Sequence, residues 1–395
     1  MAKENLNTGI AVVIDDEIGK KAANINNLIE QIQKQNMPCL TYKDLPEIGT
    51  IEHLDGVSFL LLDWKLQTDL DQATIEGVKL PDALIKSEVD KIITFLKKLK
   101  ESCFIPIFIF TNESVHKVIE ELKTHSLYHD NKPNYIFVKS KKDLTGHSKL
   151  FKTIEGWIKK TPSIYILKAW EKEYRRAKNK LFHDFYRISP NWPIILWQSF
   201  SEDGVNMSLE LGEVITKNLY TRMSPFDFDI KILNKQNKKA PKEEIRKVVE
   251  GERFILNGGL HQDSIAAGDV FKVSDKFFLN IRPDCDCITR AETNNQDIEL
   301  YLLGGSKLSD KQEKKLYRKQ YGNFSEIDGQ TIVFSMIDGK TYDFRFKNLA
   351  IKKWAELKDK RIGRLLPPYI TRIQQRYALY LQRQGLPRTP NKAVH

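Results

Sequence analysis

Four short apolar runs near the start of the chain each end on a carboxylate, a hydroxyl or an ammonium. Ile10 to Ile14 ends at Asp15-Asp16, Val57 to Leu62 at Asp63, Ile105 to Phe110 at Thr111, and Tyr135 to Val138 at Lys139. Carboxylates gathered at one place repel one another, so something must offset their charge. A hard divalent cation such as Mg2+ does so, because it prefers oxygen ligands and keeps several waters. A single aspartate at a strand end is ordinarily a cap or turn residue. Four such ends in order would need four coincidences.

The elements that must position these residues follow from hydrophobic period. Between the apolar runs, apolar residues recur at helical spacing: Ala23, Ile25, Leu28, Ile29 and Ile32, then Val89, Ile92, Ile93, Phe95 and Leu96 within Ser87 to Lys100. The same spacing returns at Val115, Val118, Ile119 and Leu122, and a last helix is predicted from Ser148 to Lys159. Fully apolar strands alternating with helices indicate a parallel sheet covered on both faces, a doubly wound α/β unit. In such sheets the functional crevice lies outside the carboxyl ends of the strands. All four candidate ends then converge on one rim.

Motif by motif, this region resembles the receiver domain of two-component response regulators. The acidic pair follows the first strand in Val13-Ile14-Asp15-Asp16-Glu17, and the acceptor aspartate follows the third in Leu61-Leu62-Asp63-Trp64-Lys65. Thr111 follows Phe108-Ile109-Phe110, and Lys139 follows Ile136-Phe137-Val138. The resemblance covers about 40% of the chain. It implies a five-stranded flavodoxin-like sheet and Mg2+ held by Asp15 or Asp16, Asp63 and the backbone carbonyl of Lys65. It further implies phosphoryl acceptance on Asp63, with Lys139 pairing with the phosphoryl oxygens and Thr111 moving to bond one of them. A histidine kinase or other phosphodonor protein is the implied partner. The chain departs from the family at Gln67 and Ser140, where proline is common, and at Ile136, where an aromatic residue often sits. It also places 47 residues between Asp63 and Thr111, which predicts an insertion around Gln67 to Lys86 beside the site.

The chain has 395 residues, a length that fits two or three domains. With 41% hydrophobic and 29% charged residues it reads as globular. No apolar run reaches the roughly 18 residues of a membrane span, and the polar start MAKENLNTG lacks the apolar stretch of a secretion signal. A cytoplasmic protein is expected. Four cysteines make no disulfide framework, and Cys285-x-Cys287 lacks a second ligand pair for zinc. The net charge of +11 is uneven: residues 1–160 hold 22 basic against 23 acidic residues, and the remainder 41 against 29. Two units with different partners are implied.

Beyond Thr161-Pro162-Ser163 the pattern changes. We read a linker helix over 161–190, then an α+β output domain over 191–395. Helices are predicted near Leu209 to Arg222 and Lys242 to Glu250. Hairpins are predicted at 269–281 and 330–346, forming with Ile298 to Leu303 a small antiparallel sheet or barrel. Gly258-Gly259 and Gly304-Gly305 read as turns. Helices around Ala350 to Lys358 and Leu366 to Gln384 close the chain. Between Lys352 and Arg388 stand ten basic and two acidic residues. Arg361 and Arg364 precede the last helix, and Arg372, Arg376 and Arg383 share one of its faces. Such a face is most often a solvated side of a docking helix, and it can also contact nucleic acid or an acidic partner.

The leading expectation is an atypical response regulator in which phosphorylation of Asp63 controls the output domain through protein–protein contact. The rivals are a nucleic-acid-binding regulator using the C-terminal arginines, and an effector or scaffold of a stress or antiphage system using the receiver as an interaction module. No enzyme signature stands out beyond a receiver's own phosphoryl chemistry. A homodimer is compatible with all three.

Overall fold

The computed structural model describes residues 6, 8–20, 24–66, 82–130, 132–144, 149–223, 225–234, 240–288, 298–325 and 327–383, with backbone only at 82–85. Two compact units emerge. Met1–Asp184 with Asn218–Asn237 form the first, and Phe185–Lys217 with Lys238–His395 the second.

The first unit alternates strands and helices: β1 (Ala11–Ile14), α1 (Asn24–Lys34), β2 (Cys39–Tyr42), β3 (Phe59–Leu62), α2 (Asp82–Ser102), β4 (Ile107–Thr111), α3 (Val115–Thr124), β5 (Ile136–Ser140), α4 (Lys149–Ile158) and α5 (Pro162–Ile188). The strands run parallel in the order β2-β1-β3-β4-β5, which is the flavodoxin-like order with its switch point between β1 and β3.

Strand alternation divides the core. Val12, Ile14, Leu60, Leu62, Ile107 and Ile109 face one layer with α2 and α3. Ala11, Val13, Phe59, Leu61, Phe108 and Phe110 face the other, with α1 and α4. Each fully buried Leu, Ile or Phe side chain contributes about 1.5–3 kcal/mol, so strands buried on both faces hold their register firmly. The first turns of α5 add Ile164, Tyr165 and Ala169 to the second layer. The expected boundary at 160 therefore falls just ahead of residues that share this core. Most of the expected insertion, residues 67–81, lies outside the described residues, and from Asp82 the chain is already in α2.

After α5 come α6 (Trp192–Glu202), α7 (Met207–Met223), α8 (Ile230–Asn234) and α9 (Lys242–Arg253). The strand-rich part then contains β6 (Phe254–Leu256), β7 (Asp269–Val273), β8 (Lys276–Asn280), α10 (Asp284–Cys287), β9 (Glu299–Lys307), α11 (Asp310–Leu316), β10 (Tyr317–Arg318) and β11 (Asn323–Phe324). It ends with β12 (Gln330–Ile337), β13 (Lys340–Lys353), α12 (Trp354–Leu357), β14 (Arg361–Leu365) and α13 (Tyr369–Gln382). Seven strands form one antiparallel sheet in the order β12-β13-β9-β8-β7-β14-β6. The β12–β13 hairpin turns at Asp338-Gly339, both at positive φ, the backbone that Asp-Gly adopts most readily.

Two expectations for this unit are corrected. Ala350–Lys353 do not start a helix but extend β13, pairing with β9 from Leu302 to Glu299. Leu349 to Lys353 alternate across the sheet, and helix is confined to Trp354–Leu357 and the 3-10 turn Lys358–Lys360 that follows. Gly304-Gly305 lie inside β9 rather than in a turn. A Cβ on Gly305 would collide with the Phe344 ring and the Asp343 carbonyl of β13, so glycine permits close strand approach. Arg361 and Arg364 precede the last helix as expected, and they lie in β14.

Candidate functional site

The rim at the carboxyl ends of β1 and β3 is set by register. Ile14 and Leu62 are parallel partners, and the Asp63 amide donates to the Ile14 carbonyl at 2.9 Å. The next residues along, Asp15 and Asp63, are therefore neighbours at the switch point. Both are buried, at 1% and 6% exposure. The Asp15 carboxylate accepts the Glu17 amide at 2.9 Å, and Asp16 pairs with Lys20 at 3.0 Å. Asp15, Asp16 and Asp63 each place an oxygen within 4.8 Å of the others.

The lysine that meets them is Lys141. Its Nζ donates at 2.7 Å to Asp15 Oδ2 and at 2.7 Å to Asp63 Oδ2, and Glu17 Oε2 lies 3.8 Å away. Lys139, the residue singled out in the sequence, sits within β5 opposite Phe110, half-buried. Alternation explains the difference. Ile136 and Val138 face one core layer and Phe137 the other, so Lys139 falls on the side of Phe137. The strand continues to Ser140, and the tight turn Lys141–Leu144 begins at the rim. Three lysines in four positions (139, 141 and 142) were legible in the sequence. The strand's true end, which chooses among them, was not.

Thr111 is fully buried at the end of β4 and pairs with Ser140, so it belongs to the same rim. Its hydroxyl oxygen accepts the Glu113 amide at 2.9 Å. Lys65 is exposed, and its backbone N–H donates to the Asp63 carboxylate.

Electrostatics follow from an excess of acid. Burial pushes the Asp63 carboxyl up to about 7; Lys141 opposes the rise and Asp15 reinforces it. Burial works against the Lys141 ammonium too, but the pull of Asp63 and Asp15 outweighs it and holds its pKa above the ordinary value. Asp15, Asp16, Glu17 and Asp63 stand against the ammoniums of Lys141 and Lys20, which leaves a surplus of negative charge. That donor set, all oxygen and clustered, fits a hard divalent cation. Among the described residues, no other group of three His, Cys, Asp or Glu side chains clusters in this way. Cys287 is buried against Asn280, while Cys285 is exposed, and neither joins a metal-ligating group.

The arginines of the C-terminal region separate. Arg361 is 5% exposed; it donates to Asn257 Oδ1 at 2.7 Å and to the carbonyls of His261, Gln262 and Ser264. Arg364 donates to Asp269 Oδ1 at 2.7 Å. Arg361 is thus buried and Arg364 largely so, and both donate to partners within the second unit. On α13, Arg372 is exposed. Arg376 packs over Phe346, and Arg383, just past the helix, over Tyr380.

The chain matches no known protein family and no curated protein. Among solved structures it is similar to a protein of Burkholderia pseudomallei K96243 that is provisionally described as pilus assembly-related. The two share 10% identity over 40% of this chain and 94% of that one, with a TM-score of 0.23. Among the described residues, no helix is long and apolar enough to cross a membrane.

Proposed function

We propose that the first unit is a receiver-type phosphoacceptor, with Asp63 as the acceptor and Mg2+ as its cofactor. The observation that carries this reading is the Lys141 ammonium, 2.7 Å from both Asp15 and Asp63 at the switch point of a flavodoxin-like sheet. A carboxylate oxygen of Asp63 attacks phosphorus in a phosphohistidine or a small acyl phosphate. The bond from phosphorus to the donor nitrogen or oxygen breaks, the leaving group keeps the electron pair, and Asp63 becomes an aspartyl phosphate. Asp15, Asp16 and Asp63 would hold the metal, which would supply charge neutralisation at the phosphoryl oxygens. Lys141, rather than Lys139, takes the role of countercharge to the phosphoryl group. For Thr111 to bond a phosphoryl oxygen, its hydroxyl must turn from its present place beneath the Glu113 amide. The second unit is then the output, controlled through protein contact in a cytoplasmic signalling chain headed by a histidine kinase.

The test is a mass measurement after incubation with acetyl phosphate and Mg2+. Wild type gains one phosphoryl group and Asp63→Asn gains none. A stable gain in both removes the mechanism.

One observation favours a second reading, a receiver kept only as an interaction module. Lys141 already bonds one oxygen of each buried acid, an arrangement that would also stabilise an inert fold. Intact signalling by Asp63→Asn in cells would select that reading. The nucleic-acid reading draws less support, since two of its five arginines, Arg361 and Arg364, are engaged with Asp269.

A further inference from the structure

We infer that the second unit carries a nucleotide-binding pocket among α9, α13, the β10–β11 ribbon and the edge strand β12. A cavity of about 610 Å3 opens there, within the range of about 300–1,000 Å3 typical of small-molecule sites. Its floor is β12 from Gln330 to Phe334, and β12 is an edge of the seven-stranded sheet. On α9, Lys242, Arg246 and Arg253 follow at spacings of 4 and 7 and so share one helical face. On α13, Tyr369, Arg372 and Arg376 follow at 3 and 4 and do the same.

The lining holds six cationic side chains and one carboxylate, Glu313. Glu313 is already bound to Arg246 through two bonds of 2.8 Å and accepts the Thr341 hydroxyl at 2.7 Å. Arg253 in turn meets Glu252 at 3.3 Å, and the six cations of the lining still outnumber Glu313 and Glu252 together. Deeper in, the Arg253 Nε is buried and has no hydrogen-bond partner. Buried donors are nearly always satisfied in proteins, so this one asks for an acceptor oxygen.

The cations alternate with aromatic rings. Arg246 lies 4.6 Å from the Phe334 ring centre and Arg253 4.5 Å from that of Tyr369. Phe324 stands 5.7 Å from Phe334 and 5.7 Å from Tyr317, whose ring is 46% exposed. An anion alone would need no such rings, and an apolar ligand would need no such charge. A phosphorylated ligand with a flat heterocycle uses both, its base on the Tyr317–Phe324 side and its phosphates toward the arginines. A polynucleotide would want a basic track leading away from the cavity. Arg361 and Arg364, the further arginines of this region, pair with Asp269 instead and are absent from the lining. The chemistry thus points to a mononucleotide.

Calorimetric titration of the full chain tests this, using the Asp63→Asn variant in EDTA so that the acidic rim of the first unit takes no part. ATP is expected to bind in the micromolar range, with adenosine and pyrophosphate each at least about 10-fold weaker. Arg372→Glu and Lys314→Glu, both on exposed rim residues, are each expected to weaken ATP about 10-fold, the second without changing the melting curve. Phe324→Leu is expected to weaken ATP while leaving pyrophosphate unchanged. The inference is overturned by no heat with ATP, GTP, CTP or UTP at millimolar concentration. It is equally overturned by ATP affinity that ignores both charge reversals, or by a dT20 oligonucleotide that binds more tightly than any mononucleotide.

Discussion

In the first unit one ammonium, Lys141, meets two deeply buried carboxylates, Asp15 and Asp63, with Asp16 beside them. In the second, one fully buried carboxylate, Asp269, meets two guanidiniums, Arg361 and Arg364. The residue types are similar and the outcomes differ. Around Asp269 the valences close: its second oxygen accepts the Ala266 amide at 3.1 Å. Arg364 reaches the Ser264 carbonyl at 2.9 Å, and loop carbonyls receive Arg361. Burial pushes the Asp269 carboxyl up against the pull of the two guanidiniums, as expected where desolvation competes with pairing. Such a cluster fastens the loop 257–269 to β14. The rim of the first unit remains rich in acid and leaves its negative charge only partly met. Surplus charge of one sign leaves a group open to a ligand or proton, whereas closed valence serves architecture.

The strongest way to break this contrast is to remove one partner from the closed cluster. Asp269→Ala leaves the buried Arg361 and the partly buried Arg364 without their carboxylate, and breaking such a pair costs about 3–5 kcal/mol. Hydrogen exchange should show lost protection in Arg361–Leu365 and Asp269–Val273, with the first unit unchanged. Protection that survives would mean that the loop carbonyls alone hold the arginines.

Next in size is Lys141→Met, which leaves the rim's acids without their internal countercharge. Loss of one preorganised charged donor typically slows a transfer about 100-fold or more, so the rate of phosphoryl gain from acetyl phosphate should fall by that order. A rate within twofold of wild type would strip Lys141 of its role.

Asp63→Asn should act in the opposite direction on stability. With a folded pKa near 7 against an ordinary 3.8, native Asp63 keeps a proton that the unfolded chain has lost between about pH 4 and 7. Stability of the first unit therefore declines as pH rises through that window. Asparagine removes this dependence. In metal-free buffer the variant should melt a few degrees above wild type at pH 8, and the gap should close as pH falls toward 5. Mg2+ at pH 8 should raise wild type and leave the variant unmoved. A gap that widens on acidification would reverse the assignment of surplus charge.

The sequence disclosed the parallel sheet because its inner strands are apolar on both faces and cannot be read otherwise. Strand β2 was not legible, since Leu40 and Tyr42 are exposed at the sheet edge and carry no buried period. Asp15, Asp16, Asp63 and Thr111 could be placed from strand ends alone, because each follows directly on a continuous apolar run. The second unit was harder to read. Hairpins 269–280 and 330–346 showed themselves by alternation and a turn dipeptide. Arg361-Ile362-Gly363-Arg364-Leu365, by contrast, reads as a basic surface until Asp269, about 95 residues away, is known to lie beside it. Long-range pairing of charges leaves no local period.

The smallest effect concerns the lysine that sequence order favoured. Lys139 lies in β5 on the side of Phe137, with Phe110 as its strand partner, and its charge is not part of the Asp15–Asp63–Lys141 cluster. Lys139→Met keeps the aliphatic stem that covers this edge strand, so stability should stay within about 0.5 kcal/mol of wild type. The rate of phosphoryl gain should likewise stay within twofold. Measured beside Lys141→Met, it asks whether two residues of register decide which ammonium serves the pocket. Equal losses from both substitutions would mean that long-range field, rather than contact with Asp15 and Asp63, sets the chemistry of the rim.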